Sequence, residues 1–283
     1  MKLPTIIDSH CHFWDPNQFS YDWNHGLPSL DRAFVPADLA SATSEPRLGK
    51  ILFVECGCAD TQSLAEVDWV TSLGHYEKRL NGIVARAPVE KGGAVRLDLD
   101  QLAKRPLVKG VRRNLQGERD PNFALSPDFI EGVKLLAEFE YTFDLCIRHE
   151  QLASVADLAR HAPEVTFVLD HFGKPDVRGK RREPWRQDLK RFAESPNTFC
   201  KISGLTTEAD PSNWRRDDLR FYFEQAYECF GFGRLLFGSD WPYATLATNY
   251  DAWINVVLEL FAFASEPEMA QLFQGNAEKV YRV

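Results

Sequence analysis

Short apolar runs recur along the chain, separated by longer segments of helical period. The runs at 5–8, 51–55, 82–86, 108–112, 142–147, 166–170, 198–202 and 235–238 read as strands. Several are almost continuously hydrophobic rather than alternating, as expected of parallel strands covered on both faces. Between them lie amphipathic stretches, among them 61–73, 126–140 (opened by Ser126-Pro127), 151–161 and 218–230. Eight strands with helical connections predict an α/β fold, a closed (β/α)8 TIM barrel, as one domain over residues 1–283. An open doubly wound sheet would carry a glycine-rich phosphate turn after its first strand; here that strand runs into Asp8-Ser9-His10-Cys11-His12. In a barrel the chemistry belongs at the C-terminal ends of the strands, so the residues there are the candidates.

Composition narrows the partners. Hydrophobic residues make up 44% and charged residues 26%, enough for a large core. A net charge of −8 and a pI near 5.5 argue against broad phosphate-backbone binding, so no nucleic-acid partner is expected. The one basic stretch, Lys180-Arg181-Arg182 with Arg186, Lys190 and Arg191, is interrupted by Glu183 and Asp188 and reads as a solvated face. No apolar run reaches the ~18–20 residues of a membrane span. The opening residues lack the apolar core and cleavage site of a signal peptide, so the expected location is the cytoplasm. Cys11, Cys56, Cys58, Cys146, Cys200 and Cys229 then read as reduced thiols; Cys56-Gly57-Cys58 has no matching second pair for a zinc knuckle.

The strand ends carry the chemistry. His10 and His12 follow the first strand at i and i+2, a spacing that sends both imidazoles to one side of extended backbone. The sixth strand delivers Asp170-His171 before breaking at Gly173 and Pro175, and the eighth ends in Ser239-Asp240-Trp241-Pro242. Each element alone is ordinary turn chemistry. Together they place three histidines and one carboxylate at the same end of a barrel.

These blocks resemble the amidohydrolase superfamily, and within it the branch of sugar-lactone hydrolases (L-fuconolactonase, L-rhamnonolactonase) and pyrone-dicarboxylate lactonase. The resemblance rests on Ile7-Asp8-Ser9-His10-Cys11-His12-Phe13-Trp14-Asp15-Pro16, Phe53-Val54-Glu55-Cys56, Lys109-Gly110-Val111-Arg112-Arg113, Leu169-Asp170-His171-Phe172-Gly173-Lys174-Pro175, Lys201-Ile202-Ser203-Gly204-Leu205, Gly238-Ser239-Asp240-Trp241-Pro242 and Gly275-Asn276-Ala277. It implies a hydrolase of carbohydrate catabolism that opens an L-fucono-, L-rhamnono- or L-galactono-type lactone to the aldonic acid. A zinc-dependent decarboxylase, a metal-dependent nuclease and a non-catalytic binding barrel are the competing readings.

In this reading Asp240 is general base to a water oriented by His171. His10 and His12, with an arginine, donate hydrogen bonds to the lactone carbonyl. Arg112, Arg113 and His149 are expected to grip substrate hydroxyls or a carboxylate, and Trp14 and Trp241 to stack on sugar C–H faces. Glu55 is expected to touch substrate or to pair with Lys201 inside the barrel. Two metals are not expected, because the bridging position at the end of the fourth strand holds Arg112 and Arg113. A lactone is an activated ester, so no cofactor is expected to be strictly required. His10, His12, His171 and Asp240 nonetheless form an acceptable ligand set for one zinc.

Overall fold

A computed structural model describes residues 4–283; the part of the leader reading that rests on residues 1–3 lies outside them. All eight expected strands form. They are β1 (Ile6–Cys11), β2 (Leu48–Val54), β3 (Leu80–Arg86), β4 (Val108–Arg112), β5 (Thr142–Leu145), β6 (Phe167–Leu169), β7 (Thr198–Ile202) and β8 (Leu235–Phe237). Each pairs in parallel with the next, in the order β1 to β8. The ring closes between β8 and β1: the Asp240 amide donates to the His10 carbonyl at 2.8 Å, and the His12 amide to the Trp241 carbonyl at 2.8 Å. Ser9 Oγ donates to the Phe237 carbonyl at 2.6 Å across the same seam.

The helices are α1 (Pro36–Ala42), α2 (Ser63–Leu73), α3 (Arg96–Leu102), α4 (Pro127–Leu135), α5 (Leu152–His161), α6 (Trp185–Ala193), α7 (Arg216–Phe230), α8 (Tyr250–Leu260), α9 (Glu266–Ala270) and α10 (Asn276–Tyr281). The segment expected as one helix over 126–140 ends its α-form at Leu135 and tightens into a 3-10 turn, Leu136–Phe139, closed by Glu140 at a φ of 55°. None of the helices is long and apolar enough to cross a membrane. The basic stretch is solvated and paired as expected: Arg181 bonds Asp176, Arg186 bonds Glu183 and Arg191 bonds Asp157.

Two cores follow from the strand periodicity. Residues such as Ile51, Phe53, Val111, Phe143 and Leu145 point outward into the large core under the helices. The inner face has a separate apolar cluster at one end: Ile7, Leu52, Val54, Val84, Val168, Phe199 and Leu236, stoppered by Ala277, Val280 and Tyr281 from α10. The inner face at the other end is polar.

Candidate active site

Strict alternation from Ile7, which faces inward, would turn His10 outward. The register between β1 and β2 shifts between Asp8 and Cys11, and this irregularity resets the phase. Cys11 and Phe13 therefore join the outer core, and His10 and His12 face the barrel mouth. Asp8 fixes the shift. Its carboxylate accepts from the His10 amide (3.1 Å), the Ser239 amide (2.9 Å), Ser239 Oγ (2.6 Å) and Tyr250 Oη (3.0 Å). One buried acid thus orients both β1 and the turn after β8. Its positioning role was not anticipated from the sequence, although it sits within the quoted motif.

After β6 the backbone turns left-handed over four consecutive residues, with φ of 53° at His171, 57° at Phe172, 70° at Gly173 and 48° at Lys174. Left-handed helical geometry costs ~1–2 kcal/mol for each non-glycine residue, and such strain is characteristic of functional turns. Its result is that His171 and Lys174 both line the cavity, whereas Phe172 packs on Phe223 with ring centroids 5.2 Å apart. Gly204 makes room for this: a Cβ there would lie 2.5 Å from His171 Nδ1 and 2.9 Å from Asp240 Oδ2, at a φ of 61°.

The three imidazoles converge on Asp240. Its Oδ1 lies 3.4 Å from His12 Nε2 and 3.8 Å from both His10 Nε2 and His171 Nε2. Behind the rings, His10 Nδ1 meets Asp170 Oδ1 at 3.1 Å, His12 Nδ1 meets the Val54 carbonyl at 2.7 Å, and His171 Nδ1 meets Ser203 Oγ at 2.8 Å. The Val54 carbonyl accepts only, so His12 carries a proton on Nδ1; His10 Nδ1 faces both the Asp170 carboxylate and, at 3.2 Å, the Lys201 ammonium. On the far side of the same ring Arg112 Nη1 lies 3.5 Å from His10 Nε2. The serine hydroxyl leaves His171 free to adopt either tautomer.

Burial pushes the Asp240 carboxyl up, but His171, the hydrogen bond with His12 and the charge of His10 outweigh it and hold it well below the usual carboxylate range. Burial lowers His171 to about 4, and His10 is also lowered well below the ordinary histidine value, chiefly by burial. At neutral pH the site thus holds an ionised carboxylate, Asp240.

Under this ring lies an ionic plug. Arg112 Nε donates to Glu55 Oε1 at 2.6 Å and Nη1 to Asp170 Oδ2 at 3.3 Å. Lys201 Nζ donates to Asp144 Oδ2 at 2.5 Å and lies 3.0 Å from Asp170 Oδ1; Tyr281 Oη adds 2.7 Å to Asp144. Glu55 and Lys201, expected as partners, are each paired elsewhere: inner-face positions of β5, β6 and β7 bring Lys201 between two aspartates instead. Glu55 faces Arg112 rather than the main cavity.

That cavity, about 330 Å³, is lined by Trp14, Trp23, Leu27, Arg112, Asn114, Gln116, Lys174 and Tyr243, together with His12, His171 and Asp240. Three expected contacts besides Glu55 lie outside the lining. Arg113 turns to Glu90 (2.8 Å) and Glu118 (2.6 Å), His149 sits 2.6 Å from Glu150, and Trp241 is buried against Phe13 and Phe34. For Arg113 the cause is parity: adjacent residues of β4 face opposite ways, and Arg112 takes the inward place. Trp23, Gln116 and Lys174 were not singled out as substrate contacts; the first two sit in long strand-to-helix connections with no period to place them. Cys56 and Cys146 also line the cavity, and all six cysteines are free.

Donor atoms of His10, His12 and Asp240 lie within 4.8 Å of one another, and each of the two rings is backed by an acceptor at Nδ1. This set fits one divalent ion, with His171 adjoining it. The position a second metal's bridge would need at the end of β4 holds Arg112.

A parallel barrel whose mouth gathers three imidazoles around a carboxylate is a hydrolase scaffold of the amidohydrolase type. The chain belongs to the amidohydrolase family, whose profile matches residues 7–283. It is 34% identical to the L-fucono-1,5-lactonase of Burkholderia multivorans over 97% of this chain and 95% of that one. To the L-fucono-1,5-lactonase of Burkholderia ambifaria it is 29% identical, over 98% and 95% respectively. Its backbone is similar to a crystal structure of an amidohydrolase from Burkholderia multivorans with bound zinc, with a TM-score of 0.88 and 30% identity over 98% of this chain and 99% of that one. Divalent metals are usual in this superfamily, and the expectation that none is strictly required gains no support from a donor set that suits one.

Proposed function

We propose that the protein hydrolyses an uncharged sugar lactone to its aldonic acid, with Asp240 as general base. The observation that supports this is the ring of three Nε2 atoms 3.4–3.8 Å from one carboxylate oxygen in the lining of a small cavity. Charge balance favours a neutral substrate over a dicarboxylate. Each cation in the lining already has a carboxylate: Arg112 has Glu55 and Asp170, and Lys174 has Glu208 at 3.7 Å. A lining that combines aromatic side chains with amides and an ammonium suits a sugar ring with an apolar and a hydroxylated face.

Asp240, ionised at neutral pH, takes a proton from the attacking water. His10 and His12, flanking Asp240, orient that water. Arg112, a cation in the cavity lining, stabilises by its charge the negative charge growing on the carbonyl oxygen. His171, free to change tautomer, carries the proton from Asp240 to the leaving ring oxygen. A divalent ion held by His10, His12, His171 and Asp240 would supply Lewis-acid polarisation of the ester carbonyl. Because a lactone is an activated ester, the side chains sustain the reaction without strict dependence on that ion.

The test is proton release from a panel of sugar lactones and a pyrone dicarboxylate, followed with a pH indicator before and after chelation. Turnover of a hexono-1,5-lactone but not of the dicarboxylate is expected, with loss of no more than about tenfold on chelation. Loss by several orders of magnitude, restored by zinc, would make the ion indispensable. Absence of acid release from every lactone would remove the assignment.

A further inference from the structure

We propose that Lys174 is the residue by which the site selects hydroxylated lactones, donating a hydrogen bond from Nζ to a ring hydroxyl of bound substrate. The inference rests on the lactone-hydrolase reading and adds to it a contact made away from the reacting carbonyl. Three observations carry it. Lys174 closes the left-handed turn that begins at His171, so the backbone that sets the catalytic imidazole also sets this ammonium, and both residues line the cavity. Its side chain is largely enclosed, 15% exposed, in the lining rather than on an outer face. Its three N–H bonds are only partly used: Gln116 Oε1 accepts one at 2.9 Å, and Glu208 Oε1 stands at 3.7 Å.

Gln116 makes the arrangement rigid. Its Nε2 is held by Cys146 Sγ at 2.9 Å, which turns its oxygen toward Lys174. The ammonium is thus tethered on one side, balanced by a carboxylate at longer range, and left with donor capacity toward the cavity. A hydroxyl oxygen accepts such a bond; a ring CH2 in its place cannot, and the enclosed ammonium then forfeits the interaction. Trp14 and Trp23, also in the lining, offer no comparable donor to the cavity, since their indole N–H groups are bonded to the Leu30, Arg32 and Cys56 carbonyls. Lys174 therefore reads the hydroxylated face of the substrate.

The experiment compares wild type with Lys174→Met, which keeps the stem and removes the donor, on L-fucono-1,5-lactone and on unsubstituted δ-valerolactone. Expected is a loss of about 10- to 100-fold in kcat/KM on the hydroxylated lactone, the range of one hydrogen bond to a charged group. On δ-valerolactone the change should stay within about threefold. Equal losses on both substrates, or none on either, would overturn the proposal. Lys174→Gln, which keeps a polar tip, should show the same selectivity with a smaller loss and serves if the methionine variant does not fold. Calorimetric titration with the matching hydroxylated lactam and with δ-valerolactam reads the contact without turnover. Weakening by Lys174→Met confined to the hydroxylated lactam is expected, and equal affinity in wild type and variant would refute it. If wild type opens neither lactone but the lactam difference persists, the hydrolase reading fails and the Lys174 contact stands.

Discussion

The two ends of the barrel interior are built from opposite chemistry. At the end stoppered by α10, the inner face is Ile7, Leu52, Val84, Val168, Phe199 and Leu236, held by volume and apolar contact. One layer further on, β1 and β4 to β7 or their ends present His10, Arg112, Asp144, Asp170 and Lys201, all buried and held by charge and direction. An apolar layer accepts small shifts, because dispersion is non-directional. An ionic layer does not, because each oxygen must keep its donor. The active end therefore has the less forgiving material, and it rests on the more forgiving one.

Four substitutions probe that contrast. The largest effect is expected from Asp240→Asn, which keeps shape and removes the base: kcat should fall by two to four orders of magnitude, with little change in thermal stability. Next is the ionic plug against the apolar stopper. Lys201→Met leaves Asp144 and Asp170 without their shared cation and should cost ~3–5 kcal/mol in denaturant unfolding. Leu236→Ala, in the apolar layer, should cost ~2–4 kcal/mol and spare kcat. If Lys201→Met proves the milder of the two, the plug is not the exacting layer. Gly204→Ala drives a methyl against His171 and Asp240, and is expected to lower kcat about tenfold through a displacement near an ångström.

The smallest effect concerns a buried acid outside the barrel. Glu66 on α2 bonds Tyr21 Oη and the Cys56 amide, neither a cation, and burial followed by the charge of Glu55 raises it to about 8. A carboxyl raised in the folded state favours folding fully below its ordinary value near 4.5, and that contribution is lost as pH rises through about 8. Glu66→Gln has nothing to ionise, so its melting temperature should gain on wild type steadily between pH 5 and pH 8. A constant difference across that window would mean that Glu66 ionises without penalty.

The strands were legible because parallel strands covered on both faces must be apolar throughout, and a run such as Ile51-Leu52-Phe53-Val54 has few other homes. The histidines and Asp240 were legible because they follow those runs directly. What escaped the sequence depends on backbone events without a periodic signature. The register shift in β1 and the left-handed turn from His171 to Lys174 are set by distant partners, Asp8 with Ser239 and Gly204 with His171. The partners of Lys201 could not be read from spacing, since they depend on which inner-face positions of three strands share a level. Arg113 and Trp241 were misassigned for a related reason: nearness to a motif in sequence does not decide which face a side chain takes.

The seam between β8 and β1 has a consequence of its own. The two amides that join the ends of the ring there belong to His12 and Asp240, the same residues that face the reacting group. Circularisation of the sheet and assembly of the reactive centre are thus a single event. A chain still open at this junction has no partially competent form, and the slowest-exchanging amide protons at the mouth should mark the moment the circle locks.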